Sequence, residues 1–471
     1  MQLKGPDSEP FGMQREVTSV LIVGGGPGGL TAAATLARYG IDFVLVERRA
    51  ELSSLPRATG VSTRSMELMR SFGIEDEIRA GGHDVEWTQL YCRTLAQASA
   101  GHSSSTGFPT PEQCSLISPA QPACVPQDHL EPVLLEYIQS RAAGRVELGS
   151  KVTGVKQQGA GVRARVGDRV VEAQYLIAAD GAHSGARRAL GIDMRGPDNL
   201  LGAVTALFRA PLWGLVGERR HAIYIVTDPE AEGVLLPAGH GDRWLYGVTH
   251  EPGSPLAGLD EREMARRIEL AAGAGPVSPR IERIGSFTFA AQIADRYRTG
   301  NAFLIGDAAH RATPRGGTGM NTAIHDGYDL GWKLAWVLRG WAGDELLDSY
   351  ERERRPVADH NVRQSAEAPG TPHESGHALA ADLGGRIPHA WVDGPRHRVS
   401  TLDLLGPGYT LFSGPERDQC EVPAHVPVVA RRLDVITARA LGIAPAGALL
   451  VRPDGVPAAT AAAAEGLRAA A

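Results

Sequence analysis

The 471-residue chain has only four cysteines, Cys92, Cys114, Cys124 and Cys420, with no C-x-x-C pair and no Cys/His cluster at metal spacing. Reduced, structural thiols are expected. His373 and His377 share i, i+4 spacing, but Pro372 and Gly376 disfavour a settled helix and no third ligand is evident, so no metal is assigned. Basic residues are short as well: 48 Lys and Arg stand against 54 Asp and Glu, a formal net charge of −6. Nucleic acid, which calls for a basic excess, is not expected as a partner. No run of about 18 apolar residues occurs, and the first sixteen residues lack the apolar core of a signal peptide. The expectation is a cytoplasmic chain that stays off membranes. No serine triad, carboxylate pair or metal set emerges either.

Glycine, by contrast, is plentiful and placed. Residues 19–23 (SVLIV) read as a short buried strand, followed by Gly24-Gly25-Gly26-Pro27-Gly28-Gly29 and an alanine-rich helix over 30–39. In this G-x-G-x-x-G, Gly24 makes the tight turn, Gly26 lets the backbone approach a pyrophosphate, and Gly29 lets helix and strand pack closely. A second strand over 42–46 ends at Glu47, where an acid hydrogen-bonds ribose hydroxyls and repels a 2′-phosphate. The opening therefore binds a dinucleotide such as NAD or FAD. The fingerprint occurs once, which implies one stably held dinucleotide.

A second glycine cluster lies in residues 303–338, where a strand over 303–305, the turn Gly306-Asp307 and a loop containing Pro314, Gly316, Gly317 and Gly319 lead into a helix from near Met320. The free N–H groups of a helix start favour an electron-rich ligand. Between the two clusters, residues 56–60 open a loop before an amphipathic helix over 63–72, and Arg57 there is a candidate phosphate or flavin-edge contact. Gln127 precedes another helix and reaches toward the same ligand. Strands over 146–148, 162–166, 170–171 and 175–179 lead to Asp180-Gly181-x-x-Ser184-x-x-Arg187, whose Asp180 and Ser184 also suit a plain helix cap.

These three signatures, in the chain order Gly24–Gly29 fingerprint, Asp180–Arg187 motif and Gly306-Asp307 loop, resemble the class A flavoprotein monooxygenases with the p-hydroxybenzoate hydroxylase fold, and most of all the aromatic polyketide hydroxylases and rifampicin monooxygenase. The resemblance implies an α/β fold in which a Rossmann-like FAD domain (18–83, 111–195 and 291–365) is interleaved with an antiparallel-sheet substrate domain (84–110 and 196–290). A small thioredoxin-like C-terminal domain follows over 386–457, without the C-x-x-C that redox work needs. It implies tightly bound FAD at Gly24, Gly26, Pro27, Gly28 and Gly29, with Glu47 and Arg48 at the ribose, Arg57 and Gln127 flanking phosphates and flavin, and Val152 at the adenine. Asp180 belongs to a motif associated with FAD and NAD(P)H. Gly306 and Asp307 would hold the ribityl chain or pyrophosphate, and Pro314, Gly317, Gly319, Met320 and Asn321 would line the isoalloxazine. NADPH or NADH would be a transient co-substrate with O2, and the chemistry, through a flavin C4a-hydroperoxide, would rest with the cofactor. Arg311, Arg315 and His325 depart from the usual residues of this loop.

The region 203–289 alternates as antiparallel strands do, and Trp213, Tyr224, Trp244, Tyr246, Phe287 and Phe289 are candidate pocket walls. Trp87 joins them from a second region, where the irregular segment 94–125 forms a lid. No catalytic side chain is assigned; Arg57, His83 and Tyr224 are candidates to deprotonate a phenol. The implied activity is hydroxylation of a phenolic, polycyclic, polyketide-type small molecule by a monomer or homodimer. Baeyer-Villiger oxygenation, a non-catalytic FAD-containing drug-binding protein and a plain NAD dehydrogenase are the alternatives. Flavin-dependent halogenation is disfavoured because G-W-x-W-x-I-P is absent.

Overall fold

The computed structural model describes residues 14–218, 220–253, 259–367, 375–394, 397–417 and 426–461. The expectations placed on Cys420 and His373 lie outside these residues.

The nearly continuous apolar runs VLIV, FVLV, YLIA and AFL suit strands covered on both faces. They form the centre of a parallel sheet in the order Ala302–Leu304, Arg169–Ala178, Gln14–Val23, Phe43–Glu47, Arg145–Leu148. Val20 stands beside Phe43, and Leu176 beside both Leu21 and Ala302. The hairpin of Val152–Gln158 and Gly161–Val166 continues from Arg169–Ala178 on the antiparallel side. Strands read as separate over 170–171 and 175–179 are one strand, because Glu172 and Gln174 merely face outward from a continuous ladder.

Helices Pro27–Arg38 and Thr318–Leu338 lie against each other beside this sheet. A Cβ on Gly327 would collide with the carbonyl oxygen of Gly28, and one on Gly331 would crowd Thr35. Small residues let the two backbones approach closely, so the two glycine turns that these helices follow are packed side by side. A further helix, Glu345–Ala366, runs through Pro356.

A second sheet of seven strands has the order Arg280–Thr288, Gly202–Arg209, Arg243–His250, Gly233–Pro237, His221–Val226, Glu86–Cys92, His102–Ser105. One of its faces is sealed by helix Glu261–Ala272, whose Met264 and Ile268 pack on Val204, Ala206, Phe208, Tyr224, Leu235, Trp244 and Tyr246. Because side chains alternate along a strand, the opposite face carries Trp87, Thr205, Ile223, Ile225, Val234, Leu236 and Leu245, all half-buried.

In the C-terminal region Tyr409–Ser413 pairs parallel with Val428–Arg432 and antiparallel with Ala448–Val451, which pairs antiparallel with Pro457–Ala461. With helix Val435–Ala440 this is a thioredoxin-like arrangement in which one strand runs against the other three. It is fastened to the long helices by charge: Lys333, fully buried, donates to Asp329 at 2.7 Å and Glu353 at 2.9 Å, and Arg452 reaches Glu353 at 2.8 Å. Asp329, Glu353 and Asp454 gather there, but the two cations among them make the cluster an ion-pair network.

Candidate functional site

The first glycine turn is built as its spacing demands. Gly24 has φ +113°, a conformation costly for other residues, and a Cβ there would strike the carbonyl of Ala179. A Cβ on Gly29 would strike the carbonyl of Gly24, and one on Gly28 would come within 3.0 Å of the Ala323 oxygen. Around Gly26, at the helix N-cap, a Cβ would meet nothing within 4 Å. Gly24, Gly28 and Gly29 are thus glycine because protein is near, whereas Gly26 faces open space beside the unpaired N–H groups of the helix start. Pro27 occupies the first helical position, where a missing N–H costs nothing.

Glu47 ends its strand with one carboxylate oxygen accepting from the Gly25 N–H at 2.9 Å and the other from the Arg49 N–H at 3.0 Å. The acid therefore shapes the turn itself. Arg48 is exposed beside it. Glu47→Ala is expected to weaken retention of a bound dinucleotide about tenfold, the loss of a charge-assisted hydrogen bond. Equilibrium dialysis checks this, and unchanged retention would confine Glu47 to the protein's own turn.

Asp180 behaves as a helix cap. It accepts from the Ser184 hydroxyl and from the backbone N–H groups of Gly185 at 2.7 Å and Ala186 at 3.0 Å. The distinctive member of that motif is Arg187, buried, which donates to the carbonyl of Ala308 at 3.2 Å. One motif thereby holds the other.

The Gly306-Asp307 turn has a buried hub that the sequence reading missed. Asp326 is 0% exposed and accepts from the Gly306 N–H at 3.1 Å and from Arg354 at 2.9 Å, and it pairs with His310 Nε2 at 2.6 Å. Burial opposes its ionisation, but His310 and Arg354 outweigh that and hold the carboxyl down at about 2. Asp307 itself reaches solvent although protein surrounds it at longer range. That surrounding protein raises its carboxyl pKa, against the pull of His310, Arg311 and Arg57.

The second glycine loop has φ +80° at Gly316 and +64° at Gly317, and the helix starts at Thr318, two residues before the expected Met320. Pro314, Gly316 and Gly317 are exposed, Gly319 is open around its Cβ direction, and Met320 is buried. The Thr318 hydroxyl, at the helix start, is buried without a protein partner. The Asn321 side chain is committed within the protein: it donates to the carbonyls of Gly60 at 3.0 Å and Gly317 at 2.9 Å and accepts from Ser62 N at 2.8 Å. Behind it, Ser65 bonds both Asn321 at 2.8 Å and His325 at 3.0 Å. Burial, followed by the charges of Arg354 and Arg64, keeps His325 well below its ordinary pKa.

At the start of helix Gln127–Gln139, Gln127 donates to the buried Glu131 at 2.6 Å. Exposed Arg57 lies within electrostatic reach of Glu131, Asp307 and Glu47. Val152 sits at the start of its strand, half-buried. Two aromatic rings cover the meeting point of the loops: a Cβ on Gly60 would come 3.2 Å from Phe108 and 3.7 Å from Trp87, and one on Gly317 would come 4.0 Å from Phe108. Trp87 and Phe108 meet edge to face at 4.7 Å.

Several expected pocket residues are corrected. Tyr224, Trp244 and Tyr246 are 0% exposed on the sealed face of the seven-stranded sheet, the wrong parity for the cleft. Burial pushes the Tyr224 phenol up to about 12, and its oxygen accepts from the His221 N–H, so it is no base for a cleft-bound phenol. Trp213 packs on Trp244 at 4.4 Å, toward the same core. His83 turns its ring to Gly241 O at 3.1 Å and to Trp213. Phe287 stays on the open face, 44% exposed, stacked on the buried Phe289. The segment read as irregular contains strand His102–Ser105 and helix Pro111–Ile117, the latter opened by a Thr110/Gln113 capping box.

Comparison with known proteins agrees with this geometry. Residues 17–365 match the family model described as an FAD binding domain, and residues 380–471 match the C-terminal domain of aromatic-ring hydroxylases. The chain is 34% identical to aklavinone 12-hydroxylase of Streptomyces purpurascens, covering 94% of this chain and 95% of that one. It is 33% identical to tetracenomycin A2 monooxygenase-dioxygenase of Streptomyces glaucescens, covering 94% and 93%. Among solved structures it superposes on the flavin-dependent monooxygenase PieE in complex with FAD and substrate, with TM-score 0.86 and 27% identity over 97% of this chain and 98% of that one. An aklavinone-11 hydroxylase bound to FAD and aklavinone gives TM-score 0.81 and 30% identity over 95% and 96%.

Proposed function

The chain belongs to the FAD-binding family of aromatic-ring hydroxylases and is an FAD-dependent aromatic monooxygenase; from that premise we propose that it hydroxylates a phenolic, polycyclic, polyketide-type molecule at the expense of NAD(P)H and O2. The observation that carries this reading is the junction of Gly60 and Gly317, clasped by Asn321 and roofed by Trp87 and Phe108, beside the half-buried apolar face of the seven-stranded sheet.

The residues present fit FAD. The open ground at Gly26 and the helix N–H groups suit a pyrophosphate, Glu47 at the end of its strand would meet a ribose, and Asp307 and Arg57, within electrostatic reach of each other, would flank the rest of the cofactor. Gly24, Pro27, Gly28, Gly29, Arg48, Gln127, Val152, Gly306, Pro314, Gly319 and Met320 complete the proposed binding set, and Asp180 supports it by capping the helix that carries Arg187. When bound, FAD supplies the redox and oxygen chemistry.

The chain's own side chains then bind, orient and exclude water. The start of helix Thr318–Leu338 favours negative charge at the Gly317–Met320 edge, and these residues would hold the ring of a bound FAD and stabilise charge there. Ile223, Ile225, Val234, Leu236 and Leu245 offer a flat apolar wall to a fused-ring substrate, and Trp87, Phe108 and Phe287 add aromatic edges. Against such a wall the substrate's rings contribute affinity through buried area, and a small number of polar contacts set orientation.

Anaerobic stopped-flow absorbance tests the reading. The FAD-loaded protein is mixed with NADPH or NADH, with and without a panel of polycyclic phenols that includes aklavinone. The expected result is bleaching of the flavin band accelerated by at least one panel member, which on readmission of O2 is recovered with one added oxygen. A flavin that no nucleotide reduces would instead support a binding protein.

A further inference from the structure

Helix Pro111–Ile117 has one buried residue, Cys114, while Leu116 is 79% exposed. So little apolar burial cannot fix a seven-residue helix, yet the segment leading into it carries Phe108 over the junction of Gly60 and Gly317. What holds the far end is polar and buried. The carbonyl of Ile117 accepts from Arg386 at 2.7 Å, and the Ser118 hydroxyl donates to Glu67 at 2.8 Å. Arg386 also grips Glu67 with both ends of its fork, at 3.0 Å and 2.5 Å, and Arg64 adds a bond to Glu67 at 2.8 Å. The Arg386 and Glu67 side chains are each 3% exposed. Burial opposes ionisation of Glu67, but Arg64 and Arg386 overcome it and keep the carboxyl below its usual value.

Glu67 lies on helix Thr63–Phe72, whose Ser62 cap is bonded to Asn321, and Arg386 belongs to the C-terminal region. One node therefore joins three parts of the chain: the C-terminal region, the helix behind the Gly60 loop, and the segment that roofs the cleft. We propose that Arg386 is a positioning residue that sets the height of the Phe108 roof, and that the C-terminal region thereby shapes the substrate cleft. This gives a domain without redox cysteines at its described positions a part in substrate selection, and it rests on the assignment of that cleft to the substrate.

Hydrogen exchange on the FAD-loaded full chain, resolved by segment, tests it in Ser118→Ala, Arg386→Lys and Arg386→Met. Loss of a hydrogen bond to a charged partner predicts about tenfold faster exchange in residues 106–118 of Ser118→Ala, with helix 318–338 unchanged. Arg386→Met is expected to exceed that, and Arg386→Lys, which keeps the charge but not the fork, to lie between wild type and Met. Exchange in 106–118 that stays at the wild-type rate in Ser118→Ala and Arg386→Lys, or that rises equally along the whole chain, would overturn the proposal. A parallel arm adds aklavinone to wild type. Protection of 106–118 supports the substrate assignment and its absence counts against that assignment alone, because the variant arm contains no substrate.

Discussion

Asp326→Ala is expected to lower stability by about 3–5 kcal/mol, the cost of leaving a buried ionic partner uncompensated. Two groups would be stranded at once, Arg354 and the N–H of Gly306, and His310 would lose its acceptor. Urea denaturation of the FAD-loaded variant measures the loss, and a change below about 1 kcal/mol would show that the hub is bypassed. The pH dependence has a defined sign. A carboxyl held at about 2, against an ordinary value of 3.8, stabilises the fold fully above the ordinary value and loses that contribution as pH falls toward 2. The stability gap between wild type and Asp326→Asn should therefore narrow below about pH 4. Since Gly306 hangs from this carboxylate, acid should loosen the Asp307 turn.

Gly26→Ala is expected to separate binding from folding. A Cβ there meets no protein atom within 4 Å, so the FAD-free protein should lose only about 1 kcal/mol or less, the difference between glycine and alanine at a helix N-cap. FAD affinity should fall by about ten- to a hundredfold, because a methyl group in close-packed ground costs on the order of 1–3 kcal/mol. Gly29→Ala should do the reverse, disturbing the protein first, since its Cβ would collide with the Gly24 carbonyl. Thermal unfolding without FAD and flavin content after gel filtration give the two readouts. Full flavin content in Gly26→Ala would remove the pyrophosphate from this position.

What could be read from sequence was local. The glycine turn, the strand runs and the paired Asp-Gly and Gly-Asp motifs announce themselves through spacings of a few residues. The Asp326 hub does not, because its partners His310 and Arg354 lie 16 and 28 positions away on other elements. Nor does the Glu67 and Arg386 pair, 319 positions apart. The parity of the seven-stranded sheet was hidden for another reason. Segments such as HAIYIV and RWLYGV are apolar on both faces, so alternation gives no hint of which set faces the core; aromatic size suggested a pocket, and helix Glu261–Ala272 took those residues instead. The helix at 111–117 was legible through its T-P-E-Q start, a capping signal that was passed over.

That two-faced sheet also bears on how such a protein diversifies. Ile223, Ile225, Val234, Leu236 and Leu245 are interleaved, one for one, with residues of the sealed slab, and neither set needs the other's size to pack. With that face as the proposed substrate wall, exchanges within the first set would alter which guest the protein accepts while the sealed slab, and with it the fold, is inherited whole.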